Sequence, residues 1–97
     1  MYTIDEIKQR VAPIARQYGL SHAWLFGSYA RGEATEGSDL DIFIKEGKPL
    51  SLLDISGLDS DLRDILHCDI DVVGDDFMDL EQSFINEVKK DRVEIYG

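Results

Sequence analysis

Cys68 is the only cysteine, so no disulfide can close within the chain, and a reducing compartment is expected. No apolar run is long enough to span a bilayer. The opening Met1-Tyr2-Thr3-Ile4-Asp5-Glu6 lacks the basic and apolar regions of a secretory signal. The expected location is therefore cytoplasmic, without a membrane partner. Basic residues are also scarce: ten Lys and Arg stand against twenty Asp and Glu, a formal net charge of -10. Non-specific affinity for nucleic acid comes from neutralising phosphates with Lys and Arg, so direct nucleic-acid binding is not expected. Little length is left over for a second substrate-binding domain, and none is expected. The 97 residues, 43% hydrophobic and 31% charged, are expected to form one domain, 1–97, around a single modest core. The acidity has two readings, general solubility or carboxylates gathered for divalent cations.

The apolar pattern divides the chain into short elements. Thr3-Ile4-Asp5-Glu6 has the Thr-x-x-Glu form of a capping box, and Ile4, Ile7, Val11, Ile14 and Tyr18 recur at helical steps behind it. Pro13 interrupts that pattern and predicts a kink or tightened turn, and Gly19 is the natural stop. Ala23-Trp24-Leu25-Phe26 reads as a short strand covered on both faces, with Trp24 and Phe26 in the core. Ser28 to Arg31 can begin a short helix, and Glu33 to Gly37 reads as a loop. Leu40, Ile42 and Ile44 alternate with Asp39, Asp41 and Phe43, the period-two pattern of a second strand.

Lys45 to Pro49 reads as a polar turn. A helix over Ser51–Leu66 follows, with Leu52, Ile55, Leu58, Leu62, Ile65 and Leu66 as its buried stripe. Asp59, Asp61 and Asp64 form its solvated face. Asp69 to Val73 makes a third strand that Gly74-Asp75-Asp76 ends. Leu80, Phe84, Ile85 and Val88 mark a last helix, and Val93 to Tyr96 a final short strand. This order predicts a small α/β (α+β) fold, a mixed sheet of three to four strands packed with helices.

The chemistry concentrates between Leu25 and Ile44, LFGSYARGEATEGSDLDIFI. Asp39 and Asp41 share a strand face with Cα atoms roughly 7 Å apart, close enough to converge on a hard cation. Mg²⁺ takes one or two protein carboxylates and completes its shell with water and substrate phosphate oxygens. Gly27 admits close backbone approach, Ser28 adds a hydroxyl and an amide donor, and Arg31 offers a forked contact to phosphate. Arg31 is equally suited to a salt bridge with the acidic loop. Asp71, on the third strand, can complete a three-carboxylate cluster, although Asp69 shares its predicted face. His22 and His67 lack a second ligand at metal-binding spacing, and Cys68 reads as core rather than nucleophile. Each short motif is weak alone; a Gly-Ser pair is usually a turn.

Together these residues carry a resemblance. Gly27-Ser28, ten intervening residues, then Asp39-Leu40-Asp41-Ile42 is similar to the signature of the nucleotidyltransferase superfamily that includes DNA polymerase β. With Phe26, Arg31-Gly32 and Ser38, it resembles the minimal nucleotidyltransferases that pair with HEPN-domain toxins as antitoxins. Cys68 to Val73 resembles the family's third-carboxylate strand, and Glu94-Ile95-Tyr96-Gly97 its usual ending. The resemblance implies a polymerase β palm-like fold. It also implies Asp39, Asp41 and Asp71 as catalytic metal ligands for Mg²⁺, two ions being expected. Gly27, Ser28, Arg31 and Ser38 would be nucleotide-binding, and ATP the substrate. The implied reaction moves AMP onto a hydroxyl, a tyrosine, of the HEPN partner. The alternatives are a vestigial antitoxin that neutralises by contact, and a transferase acting on a small molecule such as an antibiotic.

Overall fold

The computed structural model describes residues 2–35, 37–74, 76 and 78–97. Asp75 of the expected strand-ending Gly74-Asp75-Asp76 and Glu36 of the expected loop lie outside the described residues, as does Met1. Helix α1 (Ile4–Gln17) starts on the capping box: Thr3 Oγ1 accepts from the Glu6 N–H at 3.1 Å, and Glu6 Oε1 accepts from the Thr3 N–H at 3.0 Å. Pro13 does not end the helix, which continues for another turn to Gln17. Gln9, whose carbonyl loses its usual donor there, is exposed, so water can serve it. Gly19 follows the cap at φ +68°, where a side chain would be strained.

Strand β1 (Leu20–Phe26) is longer than its apolar run. Its pairing starts at Leu20 opposite Glu46 and carries an irregularity before His22. A four-residue helix α2 (Gly27–Ala30) follows, then β2 (Leu40–Glu46), α3 (Leu52–Leu66), β3 (Ile70–Val73), α4 (Gln82–Asp91) and β4 (Val93–Tyr96). The strands form one sheet in the order β3-β2-β1-β4. β1 is antiparallel to both neighbours, and β2 and β3 run parallel, so the sheet is mixed as expected.

Alternation sorts the sheet into two faces. Ala23, Leu25, Leu40, Ile42, Ile44 and Ile70 pack with Ile7 and Val11 of α1 and Leu58, Leu62 and Leu66 of α3 in one core cluster. The opposite face carries His22, Trp24, Phe26, Asp41 and Phe43, and α4 covers part of it. Trp24 and Phe26 are therefore half-buried on the second face and do not join the core, because strand parity puts them opposite Ala23 and Leu25. The helical stripes are narrower than their apolar spacing suggests. Leu52 is 82% exposed and Ile65 is also exposed, because α3 lies between α1 and β3 and buries only a fourth-residue repeat between them. Leu80 precedes α4, Phe84 is exposed, and Val88 is the buried residue of that helix. Asp61 is not merely solvated; it accepts the Tyr18 hydroxyl at 2.7 Å and ties α3 to the end of α1. No described helix is long and apolar enough to cross a membrane.

Candidate active site

β1 ends at Phe26, and the chain turns sharply through Gly27 at φ +71° into α2. The turn is closed by the Arg31 N–H donating to the Gly27 carbonyl at 3.1 Å and the Glu33 N–H donating to the Ser28 carbonyl at 2.8 Å. A Cβ built on Gly27 would strike Asp41 Oδ2, so only glycine lets this turn pass beside that carboxylate. At the other end of the link, the Thr35 N–H donates to Ser38 Oγ and the Ser38 N–H donates to the Thr35 carbonyl, both at 2.9 Å. That turn delivers Asp39 to the mouth of β2.

Register then does the assembling. Phe26 pairs with Asp41 across the antiparallel ladder, and Asp41 pairs with Asp71 across the parallel one, so the three stand in a row on the second face. Burial pushes the Asp41 carboxyl above the usual carboxylate range, and the Asp71 charge, a hydrogen bond with Asp71 and the Asp39 charge add to it; Arg31 opposes them. The ionised form of Asp41 is thus disfavoured where it stands, and a cation beside it would offset that.

Asp69 has a different task. Arg63 donates from Nη1 to Asp69 Oδ1 at 3.1 Å, from Nη2 to the Ile70 carbonyl at 2.7 Å and from Nε to Asp59 Oδ2 at 3.0 Å. It thus clamps the entry to β3 and leaves Asp71, two residues on, in line with Asp41.

A cavity of about 620 Å³ opens beside the pair, with Phe26, Asp41 and Asp71 on one wall and Ile55, Asp59 and Arg63 of α3 on another. Phe84 of α4 meets Phe26 edge-on, ring centroids 5.9 Å apart, and closes a third side. Ser38 lines a separate hollow with Tyr2, Tyr29 and Cys68. Arg31 pairs with Glu33 at 3.1 Å. Asp39 is exposed, and among the described residues no three His, Cys, Asp or Glu side chains converge tightly enough to hold a metal by themselves. The Asp41–Asp71 pair nonetheless suits Mg²⁺, which needs only one or two carboxylates beside substrate phosphate and water, and whose charge would relieve the repulsion raising Asp41.

The profile of the family described as "Polymerase beta, Nucleotidyltransferase" matches residues 9–97. "Putative protein adenylyltransferase MJ0435" of Methanocaldococcus jannaschii is 39% identical over 90 residues, covering 93% of this chain and 89% of that one. This chain belongs to the polymerase beta nucleotidyltransferase family. Its fold recurs in a crystal structure of a toxin–antitoxin with AMP-PNP, at a TM-score of 0.78 and 23% identity, over 93% of this chain and 73% of the other. It recurs again in a complex described as a tri-AMPylated Shewanella oneidensis HEPN toxin with MNT antitoxin, at 0.72 and 20%, over 97% and 72%.

For this nucleotidyltransferase, sequence reasoning missed the contribution of α3 to the cavity. Asp59 and Arg63 stand at i,i+4, a helix pair visible in the sequence. Nothing local announced that the same guanidinium reaches Asp69 and the Ile70 carbonyl. Phe84 in the sequence only marks the last helix, and its contact with Phe26 depends on where α4 lands.

Proposed function

We propose that this nucleotidyltransferase moves AMP from Mg-ATP onto a tyrosine hydroxyl of a HEPN-domain toxin, and so acts as its antitoxin in the cytoplasm. The observation that carries the reading is the Asp41–Asp71 pair, aligned across two strands at the edge of a cavity of about 620 Å³. The similarity to a named adenylyltransferase and to toxin–antitoxin complexes supports it.

Mg²⁺, one ion or two, would be held by Asp39, Asp41 and Asp71, and when bound supplies charge to offset that developing on the phosphates in an in-line displacement. The Gly27-Ser28 turn presents backbone close to the triphosphate, with Arg31 and Ser38 as further contacts. The acceptor oxygen forms its bond to the α-phosphorus while the bond to the β-phosphate oxygen breaks, and pyrophosphate leaves with that electron pair. The hydroxyl proton passes to the Asp71 carboxylate. Positioning and charge stabilisation account for the rate, as in other phosphoryl-group transfers.

The test is transfer of label from α-labelled ATP to a HEPN-domain toxin supplied as acceptor, with Mg²⁺ present. Asp39→Asn and Asp41→Asn are each expected to lower transfer about a thousandfold while keeping the fold. A wild-type chain that neutralises its partner without labelling it, and variants that neutralise equally well, would show a contact antitoxin instead.

A further inference from the structure

A second hollow lies on the same sheet face, one strand repeat from the carboxylate pair, and it is opposite in charge. Its floor is Trp24 of β1 and Phe43 of β2, directly paired in the ladder, with ring centroids 5.9 Å apart. Ile85 and Val88 of α4 complete a cavity of about 320 Å³, at the bottom of which Phe43 and Val88 are almost fully buried. Lys45, Lys89 and Arg92 stand around it, three of only ten Lys and Arg in the chain. The Arg92 guanidinium lies 4.3 Å from the centroid of the Trp24 ring, and His22 stacks on the same indole with centroids 5.3 Å apart and planes within 5°. Among the described residues, no carboxylate oxygen lies within 4.0 Å of these three cations. Asp76 also lines the hollow, where its Oδ2 accepts from the Glu46 N–H at 2.9 Å.

A helix C-terminus favours cations, which accounts for Lys89 in the last turn of α4. It does not account for Lys45, which sits on a strand, or for Arg92 turned in over Trp24. We infer that this hollow receives an acidic segment of a protein partner. An Asp or Glu carboxylate of that segment lies between the three cations. A phosphate chain fits less well. The backbone N–H groups of the floor strands serve the sheet rather than a phosphate chain, which is usually cradled by such donors. The adjoining carboxylate site favours cations, so a partner presenting the complementary pair of charges would be held in one orientation.

Trp24 is the only tryptophan, so its fluorescence reads the hollow directly. The whole chain, in EDTA and without nucleotide, is titrated with a capped hexapeptide of alternating leucine and glutamate. These conditions separate the result from that of the transfer assay. A saturable change with a Kd on the order of 0.1 mM is expected. It should weaken about tenfold or more in Lys45→Glu and in Lys89→Glu. Lys45→Gln serves as the milder variant, and circular dichroism confirms that each variant is folded. No saturable response up to about 10 mM would overturn the inference. So would an equal response to a leucine–lysine hexapeptide, or a tighter one to pyrophosphate or to a single-stranded hexanucleotide.

Discussion

One sheet presents two faces that follow different rules. On the face under α1 and α3, Ala23, Leu25, Leu40, Ile42 and Ile44 are fully buried. Any apolar set of the right volume would serve there, since burial is non-directional. The other face alternates with it along the same strands but mixes Phe26, Asp41 and Asp71 with Trp24, Phe43 and Lys45. Nothing in the core-forming rules calls for a half-buried Asp41 beside an exposed Asp71. Stability lives on the first face and chemistry on the second, and substitutions one residue apart on β2 should separate them.

The largest expected effect is on the apolar face. Ile42 is 0% exposed at the centre of the sheet, so Ile42→Ala removes buried apolar area and leaves a cavity. A loss of about 3–4 kcal/mol is expected in urea unfolding. For a domain this small, that is a large share of its total stability. Transfer activity per folded molecule should be unchanged, because Ile42 points away from the Asp41 side. A loss below about 1 kcal/mol would mean the core closes around the gap, and the contrast between faces would weaken.

That contrast was half visible in the residues themselves. Leu40, Ile42 and Ile44 alternating with Asp39, Asp41 and Phe43 announced a strand with two unlike sides, and Thr3 with Glu6 announced where α1 begins. The spacing of Gly27, Ser28, Asp39 and Asp41 pointed to one locus, because close backbone approach and paired carboxylates rest on local geometry. What stayed hidden depends on tertiary placement. An apolar residue type does not say which face it will occupy, so Trp24 and Phe26 read as core. The row Phe26–Asp41–Asp71 is a matter of register across two ladders. The α3 wall and the Arg63 clamp need the helix docked before their partners exist. Leu52 looked buried because periodicity cannot tell how far a neighbouring surface extends.

A smaller effect is expected where the functional face meets the backbone. Gly27 and Gly32 both sit at φ +71°, but a Cβ on Gly32 meets nothing within 4 Å, whereas one on Gly27 strikes the Asp41 carboxylate. Both alanine variants should lose about 1 kcal/mol from backbone strain. Only Gly27→Ala should also displace Asp41, and transfer should fall about a hundredfold, equivalent to roughly 2.7 kcal/mol of barrier. Equal activity in the two variants would show that the close approach at Gly27 has no bearing on the carboxylate pair.

The smallest effect tests the cost of keeping that pair. Burial and the Asp71 charge raise the Asp41 carboxyl above its ordinary value of 3.8, so the folded chain holds that proton more tightly than the unfolded one. Between 3.8 and the raised folded value, the native state binds more protons, so this group's contribution to stability falls as pH rises through that window. Above the window the full deficit persists, and at pH 3 it is absent. Asp41→Asn keeps the shape and removes the charge, so in EDTA at pH 7 its Tm should exceed the wild-type value by about 2–5 °C, with no gain at pH 3. Added Mg²⁺ should narrow the gap at pH 7 by stabilising the wild type alone, since a cation between the carboxylates offsets their repulsion. A variant less stable than wild type at pH 7 in EDTA would mean that Asp41 is held as a favourable charge even without metal. The second face would then be contributing to the fold as well as to the chemistry.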